Sequence, residues 1–393
     1  MSFFQGKNIL LGVSGSISAY KSIFLLRLLK SEGCNVKVIL TKSSLDFVTP
    51  LTFSTLSQNR TYVNFVEEND NEKSWNNHVE LAEWANYFII APATSSTISK
   101  MVSGNADNLL LATFMSFKNN VFFAPSMDLE MFKDKSNKKN IEILKNRGNY
   151  FIEPATGFLA SGMHGKGRLE EPELILDFLK KTIIKELPLF GKKILITAGP
   201  TYEMIDPVRF ISNFSSGKMG FYLAKKASEM GADVHLISGP SSENINGFNI
   251  KLKKILSADE MYNECINIFP KVDYCIMAAA VSDYKSKSIL KEKLKKEDIK
   301  SITIELERNE DIIAKMGFMK KKNQKLIGFA LETSDELNNA RLKMFRKKMD
   351  AIILNSLNDE GAGFDFDTNQ VTFITEKKSK KISLKSKSEI SKD

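Results

Sequence analysis

Cysteine, histidine and long apolar runs are all scarce in this chain. Its three cysteines, Cys34, Cys265 and Cys275, form no C-x-x-C pair, which excludes a disulfide framework and a structural zinc site and points to a reducing compartment. No stretch approaches the roughly 18 consecutive apolar residues of a membrane-spanning helix. The opening residues, MSFFQGKNILLGVSG, enter a strand pattern with no charged leader. A cytoplasmic protein with no membrane partner is the expectation. Two nucleotide signatures are also missing. Gly12 and Gly15 stand three apart, without the G-x-G-x-x-G spacing, which disfavours an NAD-dependent dehydrogenase. SSGKMG has no glycine five residues before Gly217 and no Ser or Thr after Lys218, so it is not a Walker loop.

Positive charge is present but poorly placed for nucleic acid. The formal net charge is +9, and EKKSKKISLKSKSEISKD from Glu376, with seven lysines against three acids, supplies +4 of it. Elsewhere lysines alternate with glutamates, as in KKASE and KEKLKKEDIK, the pattern of a solvated surface rather than of a groove that tracks phosphates. No nucleic-acid partner is expected. Residues 386–393 read by composition as a disordered, solvating Lys/Ser-rich tail.

What the chain does have is length and a repeated opening. At 393 residues with 42% apolar content it is comfortable for two cores. GKNILLGVSGS from Gly6 and GKKILITAGPT from Gly191 both run Gly-Lys, a short apolar strand, then a small-residue turn. After the first, AYKSIFLLRLLKSEG has helical spacing and closes on Gly33, and NVKVILT is the next strand; after the second, a long loop precedes a helix in KMGFYLAKKASEMG and the strand DVHLISG. This predicts an α/β chain of two Rossmann-like domains with mainly parallel sheets, 1–187 and 188–385, the boundary falling near Pro188.

In the first half, the turn GVSGS is placed to close backbone N–H groups and hydroxyls on an anion at a helix N-terminus, although a tight turn without a ligand has the same look. Asn77 is a cap candidate with Glu80 in the first turn, which puts His78 at the first helical position. There the helix dipole disfavours imidazolium, so a neutral His78 suits a base or a substrate-holding group, against the plainer reading of a half-exposed helix start. NYFIIAPAT ends in small residues at the strand edge where α/β sheets bind ligands, and Asn105, Asp107 and Asn108 follow.

GVSGSISAYK, HVELAEWA, APATSSTISKMVSGNADNLL and APSMDLEMF, in this order and spacing, resemble the flavin-dependent cysteine decarboxylase family, in particular its phosphopantothenoylcysteine decarboxylases. The second half resembles phosphopantothenate–cysteine ligases through ITAGPTYEMIDPVRFISNFSSGKMG, AAAVSDYK, KEKLKK and GFALET. The resemblance runs from Lys7 to about Lys385 and implies a bifunctional enzyme of coenzyme A biosynthesis, its first domain flavodoxin-like. FMN is the implied cofactor, with Gly15, Ser16, Ile17 and Thr41 at its phosphate and Ala93, Thr94 and Asp107 near its ring or ribityl chain. His78 matches the family's active-site histidine. The implied chemistry oxidises the cysteine thiol so that a C=S group can take up the electrons when carbon dioxide leaves.

Two positions depart from the family pattern. Ser161, in the glycine-rich flap ASGMHGKGR, stands where the family has a cysteine proton donor, and a hydroxyl is a far weaker acid than a thiol of pKa about 8.5. His164 is the alternative donor. Asp128, in PSMDLEMF, replaces the asparagine that binds the substrate carboxylate; either it is protonated there or it faces away. Complete decarboxylation is expected. The alternatives are a reaction that stops at the enethiol and a flavin-binding or regulatory module fused to an active ligase.

For the ligase half, the resemblance implies 4'-phosphopantothenate, L-cysteine and CTP as substrates, joined through an acyl-cytidylate. Asn213 would contact that intermediate, with Arg209, Ser215, Ser216 and Gly217 as substrate-binding neighbours ahead of a helix start. Lys293 matches the family's loop lysine and Asp283 its nucleotide-site aspartate near Mg²⁺. Met277, Ala278, Ala279, Glu310, Asp311, Ile312, Ile313, Phe329, Lys343 and Lys347 complete the CTP positions. Lys343 and Lys347 lie four apart, which suits a phosphate clamp and a solvent face equally. The family also implies a homo-oligomer, trimers of the first domain and dimers of the second.

Overall fold

The computed structural model describes residues 4–69, 72–246, 248–294, 302–332, 334–356 and 366–393. It divides into two compact units, Met1–Ile183 and Ile184–Asp393, so the division falls in the last turn of the helix Pro172–Lys185 rather than at Pro188.

The first unit is built on β1 (Asn8–Val13), β2 (Asn35–Leu40), β3 (Thr61–Tyr62), β4 (Tyr87–Ala93), β5 (Phe122–Pro125) and β6 (Tyr150–Phe151), all parallel, in the order β3-β2-β1-β4-β5-β6. Without the two-residue edge strand β3 this is the 2-1-3-4-5 order of flavodoxin-like sheets. The strands are near-continuous apolar runs because both faces are covered. Alternate residues of β1 face opposite cores: Ile9, Leu11 and Val13 join Leu25, Leu29 and Leu179, while Leu10 joins Phe88, Ile90 and Leu110. The order reverses between β1 and β4, and the loops after these two strands therefore diverge to leave a crevice at their carboxyl ends.

The second unit contains β9 (Lys193–Ala198), β10 (Asp233–Ser238), β11 (Ile250–Lys254), β12 (Tyr274–Met277), β13 (Lys325–Glu332), β14 (Ala351–Ser356), β15 (Thr368–Thr375) and β16 (Ser379–Ser386), counting after the hairpin strands β7 (Ala155–Phe158) and β8 (His164–Arg168) of the first unit. Its sheet runs β11-β10-β9-β12-β13-β14-β15-β16, parallel up to β14 and antiparallel beyond. The reversal here lies between β9 and β12. Gly220 lets the helix Lys218–Glu229 settle on β9, since a Cβ there would lie 2.5 Å from Ala198 Cβ and 2.8 Å from the Thr197 carbonyl oxygen.

The lysine-rich end corrects the expectation of a disordered tail. Residues Lys387–Lys392 form a helix that buries Lys387 and Ile390. Composition concealed the Ser386-x-x-Glu389 capping box: Ser386 Oγ accepts the Glu389 N–H at 3.2 Å and Glu389 Oε2 accepts the Ser386 N–H at 3.1 Å.

Candidate functional sites

The turn after β1 lies in the first crevice. Gly15 approaches Ser43 so closely that a Cβ would meet Ser43 Oγ at 2.6 Å and its carbonyl oxygen at 2.7 Å. Ser16, Ser18 and Ser126 form a hydroxyl cluster, with Ser16–Ser126 at 3.0 Å and Ser18–Ser126 at 2.7 Å. Thr41, at the end of β2, shares a hydrogen bond with Ser43 at 3.2 Å. Ser14 ties the β1 turn to β4: its Oγ donates to the Pro92 carbonyl at 2.8 Å and accepts the Thr94 N–H at 3.0 Å. Thr94 follows the buried Ala93 and caps the helix Ser95–Ser103. These close backbone approaches and hydroxyls fit a phosphate-bearing cofactor of flavin type.

A cleft of about 440 Å³ opens beside this turn, lined by Ser16, Ile17, Tyr20, Ser126, Asp128 and Phe158 among others. Asp128 precedes the helix Leu129–Lys133 without making a side-chain cap hydrogen bond, and it is among the residues that line the cleft. The ASGMHGKGR stretch forms the β7–β8 hairpin. Its tip turns on the Gly162 N–H, which donates to the Leu159 carbonyl at 3.0 Å. Two of its glycines fasten the base instead of loosening it. A Cβ on Gly167 would lie 2.3 Å from the Met127 carbonyl oxygen, and one on Gly165 2.6 Å from Leu129. Arg168 pairs with Glu171 at 3.0 Å, and the buried Lys21 meets the same carboxylate at 2.9 Å. Ser161 and His164 are exposed, the latter edge-on to Phe158 at 5.2 Å.

His78 starts its helix as expected, with Asn77 Oδ1 accepting the Val79 N–H at 3.0 Å. The reciprocal half of the box differs: Glu80 accepts the Asn77 side-chain amide at 2.9 Å. His78 Nδ1 is buried with no partner among the described residues, and Phe65 packs edge-on against the ring at 6.1 Å. Asp107 is ion-paired with Lys100 at 2.6 Å and accepts from Asn108 at 2.9 Å. Among the described residues, the lining of the cleft does not include His78, Asp107, Ser161 or His164. Sequence reasoning passed over Ser14, Ser18, Lys21 and Ser126, all inside motifs it had singled out.

In the second unit the carboxyl ends of β9 and β12 meet. Thr197 Oγ1 accepts the Ala279 N–H at 3.2 Å, the Ala280 N–H donates to the Gly199 carbonyl at 2.9 Å, and Thr201 Oγ1 accepts the Ser282 N–H at 3.0 Å. Asn213 donates to the carbonyls of Ala280 and Val281 at 3.2 and 3.1 Å, so one segment joins it to Met277, Ala278 and Ala279. Gly217, at φ +80, caps the helix from Lys218. Ser212, Asn213, Ser215 and Ser216, with Tyr202 stacked on Phe210 at 3.9 Å, line a cleft of about 460 Å³.

Lys347 pairs with Asp311 at 2.8 Å, and Lys343 approaches Glu332 at 4.0 Å. Lys347 therefore faces the helix that carries Ile312 and Ile313, and Lys343 the strand that carries Phe329. Burial opposes ionisation of Asp311, but the Lys347 ammonium and the Ala314 N–H outweigh it and hold its carboxyl below the usual carboxylate range. Asp283, Glu310 and Lys293 are exposed. Lys295 and Lys296 of KEKLKK lie outside the described residues. No group of three His, Cys, Asp or Glu suited to a metal occurs among the described residues. Arg209 pairs with the fully buried Asp206 at 2.5 Å, a residue the sequence reading missed.

Residues 4–184 match the family model described as Flavoprotein, and residues 189–393 match the DNA/pantothenate metabolism flavoprotein C-terminal domain. The chain is 42% identical over 391 residues to the coenzyme A biosynthesis bifunctional protein CoaBC of Bacillus subtilis, covering 98% of this chain and 95% of that one. It belongs to the CoaBC family. It is thus a bifunctional enzyme of coenzyme A biosynthesis, with a flavoprotein decarboxylase domain and a ligase domain. The Borreliella burgdorferi CoaBC is 39% identical, covering 99% of this chain and 98% of that one. A cysteine/cysteine sulfinic acid decarboxylase from an unknown prokaryotic organism is 46% identical over 88% of this chain and 97% of its own length. Among solved structures, the C-terminal domain of a CoaBC protein is 39% identical at a TM-score of 0.44, covering 52% of this chain and 91% of that one. No helix among the described residues is long and apolar enough to cross a membrane.

Proposed function

We propose that the ligase domain activates 4'-phosphopantothenate with CTP, joins it to L-cysteine, and that the first domain decarboxylates the adduct to 4'-phosphopantetheine with FMN. The observation that carries the flavin assignment is the Gly15 turn, packed so tightly on Ser43 that it has no room for a Cβ, with its Ser16, Ser18 and Ser126 hydroxyls. FMN supplies the electron sink that lets a carboxylate beside an amide-bearing carbon depart. Ser16, Ile17 and Thr41 hold its phosphate, and Ala93, Thr94 and Asp107 border the rest. His78, whose buried Nδ1 has no partner among the described residues, is the group that holds or accepts a proton at the substrate. Asp128, on the lining of the cleft, occupies the position from which the family's asparagine binds the substrate carboxylate. His164 returns the final proton in place of the family's thiol.

Assembly as a homo-oligomer, trimers of the first domain and dimers of the second, accounts for His78 and the hairpin tip lying outside the cleft lining. The exposed Ile17, Tyr20 and Phe24 on or beside the helix Ala19–Ser31 support such packing. In the ligase domain, carboxylate attack on the α-phosphate of CTP builds negative charge, which Lys293, Lys343 and Lys347 offset while Asp283 orients Mg²⁺. Asn213 lies beside the acyl-cytidylate, which cysteine's amine then opens. The cell compartment proposed is the cytoplasm.

Incubating the purified protein with 4'-phosphopantothenate, cysteine, CTP and Mg²⁺ tests the whole sequence through CMP, carbon dioxide and product mass. The expected product has the mass of phosphopantetheine. A product two hydrogens lighter would show a reaction stopped at the enethiol, and release of carbon dioxide from free cysteine or cysteine sulfinic acid alone would favour the chemistry named for the 46%-identical relative. His164→Ala should accumulate the lighter product; full reduction in that variant would remove His164 as the donor.

A further inference from the structure

Asp206 is fully buried, and its two carboxylate oxygens have separate partners. Oδ1 accepts the N–H groups of Val208 at 2.7 Å and Arg209 at 2.8 Å, closing the turn between the short strands Glu203–Met204 and Phe210–Ile211. Oδ2 accepts Arg209 Nη1 at 2.5 Å and the Leu294 N–H at 3.1 Å. Arg209 Nη2 donates in turn to the Leu294 carbonyl at 3.2 Å. The buried carboxylate and its half-buried partner Arg209 thus grip both backbone polar groups of the residue that follows Lys293. Earlier in the same loop, the Leu290 N–H donates to the Ile205 carbonyl at 3.0 Å. Loop backbone at a surface ordinarily turns to water. Here it is held by charge-assisted bonds, roughly twice as strong as neutral ones.

We infer that Asp206, acting with Arg209, is a positioning residue of the ligase domain: it docks the segment Leu290–Leu294 and so sets where the Lys293 ammonium is presented. The inference rests on the proposed role of Lys293. A lysine head rides on a flexible four-carbon stem, so its placement depends on its own backbone being fixed. Charge stabilisation in a transition state is effective in proportion to that preorganisation. A purely structural role for Asp206, capping its own turn, separates cleanly from this one. Asparagine can keep the Oδ1 bonds, yet it turns an NH₂ toward the Leu294 N–H and the Arg209 guanidinium, where an acceptor is needed.

The test uses full-length Asp206→Asn and Leu294→Pro, the second removing the loop's donor while leaving Asp206 intact. Hydrogen exchange is followed at the Leu290 and Leu294 amides, with Ala279 and Ala280 as references in the adjoining sheet edge. Exchange at Leu290 should quicken about tenfold or more in both variants, and at Leu294 in Asp206→Asn, with Ala279 and Ala280 unchanged. The kcat for CMP formation should fall about ten- to a hundredfold while the KM for CTP stays within about twofold. Arg209→Lys, which keeps a cation but cannot reach Asp206 and Leu294 together, should fall between. Unaltered exchange in Asp206→Asn, or faster exchange with kcat unchanged, overturns the inference. Full activity in Lys293→Ala would instead overturn the role of Lys293, and the exchange result tells the two failures apart.

Discussion

One methyl group at Gly15 is enough to force the turn of the proposed flavin site away from Ser43. The clash at 2.7 Å is with the Ser43 backbone as well as its side chain, so a rotamer change cannot relieve it. Gly15→Ala is expected to purify with at least about tenfold less bound flavin, read as absorbance of the released cofactor, while CMP formation by the ligase domain is retained. Gly167 is a residue of the same kind under the flap. The sequence made its glycines look like a source of mobility, and three-dimensional contact shows Gly165 and Gly167 as points of attachment, leaving the Gly162 turn as the free end. Local structure was legible where a motif carries its own geometry, as at the Asn77 cap that starts the helix at His78. Asp206 was illegible because its partners, Arg209 and Leu294, stand 3 and 88 residues away and the second is a backbone group.

At the scale of elements, periodicity and caps carried most of the information. AYKSIFLLRLLKS and KMGFYLAKKASE are helices over the residues expected, because their apolar spacing fits a face against parallel strands. Composition misled at the lysine-rich end, where alternation of lysine and serine outweighed two cues: the Ser386–Glu389 box and the apolar Ile390 one turn on. The helix Lys387–Lys392 is too short to persist alone and depends on burying that side chain. Ile390→Ala should destabilise the ligase domain by about 2 kcal/mol, measured as a shift in the urea transition followed by circular dichroism. Tryptophan fluorescence should not shift, since Trp75 and Trp84 both belong to the first unit.

At the scale of the whole molecule, one buried carboxylate gives the second unit an acid response of its own. Burial alone would raise the Asp206 carboxyl, but the N–H groups of Val208, Leu294 and Arg209 and the guanidinium outweigh it and hold it down to about 2. Its unfolded value is about 3.9, so the unfolded chain takes up the proton first. The stability this gives is complete above about pH 4 and is lost as pH falls toward about 2. Urea midpoints of the ligase domain should therefore drop over that interval, and Asp206→Asn should flatten the drop; an unchanged slope in the variant would refute the assignment.

The two-fold repetition of strand, small-residue turn and helix, the parallel sheets and the family could all be read from the chain alone, because apolar periodicity and contiguous motifs are local properties. Folding in three dimensions was needed to settle which hydroxyls meet at Ser126, which glycines are pinned, that Lys347 pairs with Asp311, and that one buried carboxylate holds the Lys293 loop. Those depend on strands and loops far apart in sequence being brought within a few ångströms, where hydrogen-bond partners and close contacts are chosen by geometry that no local pattern encodes.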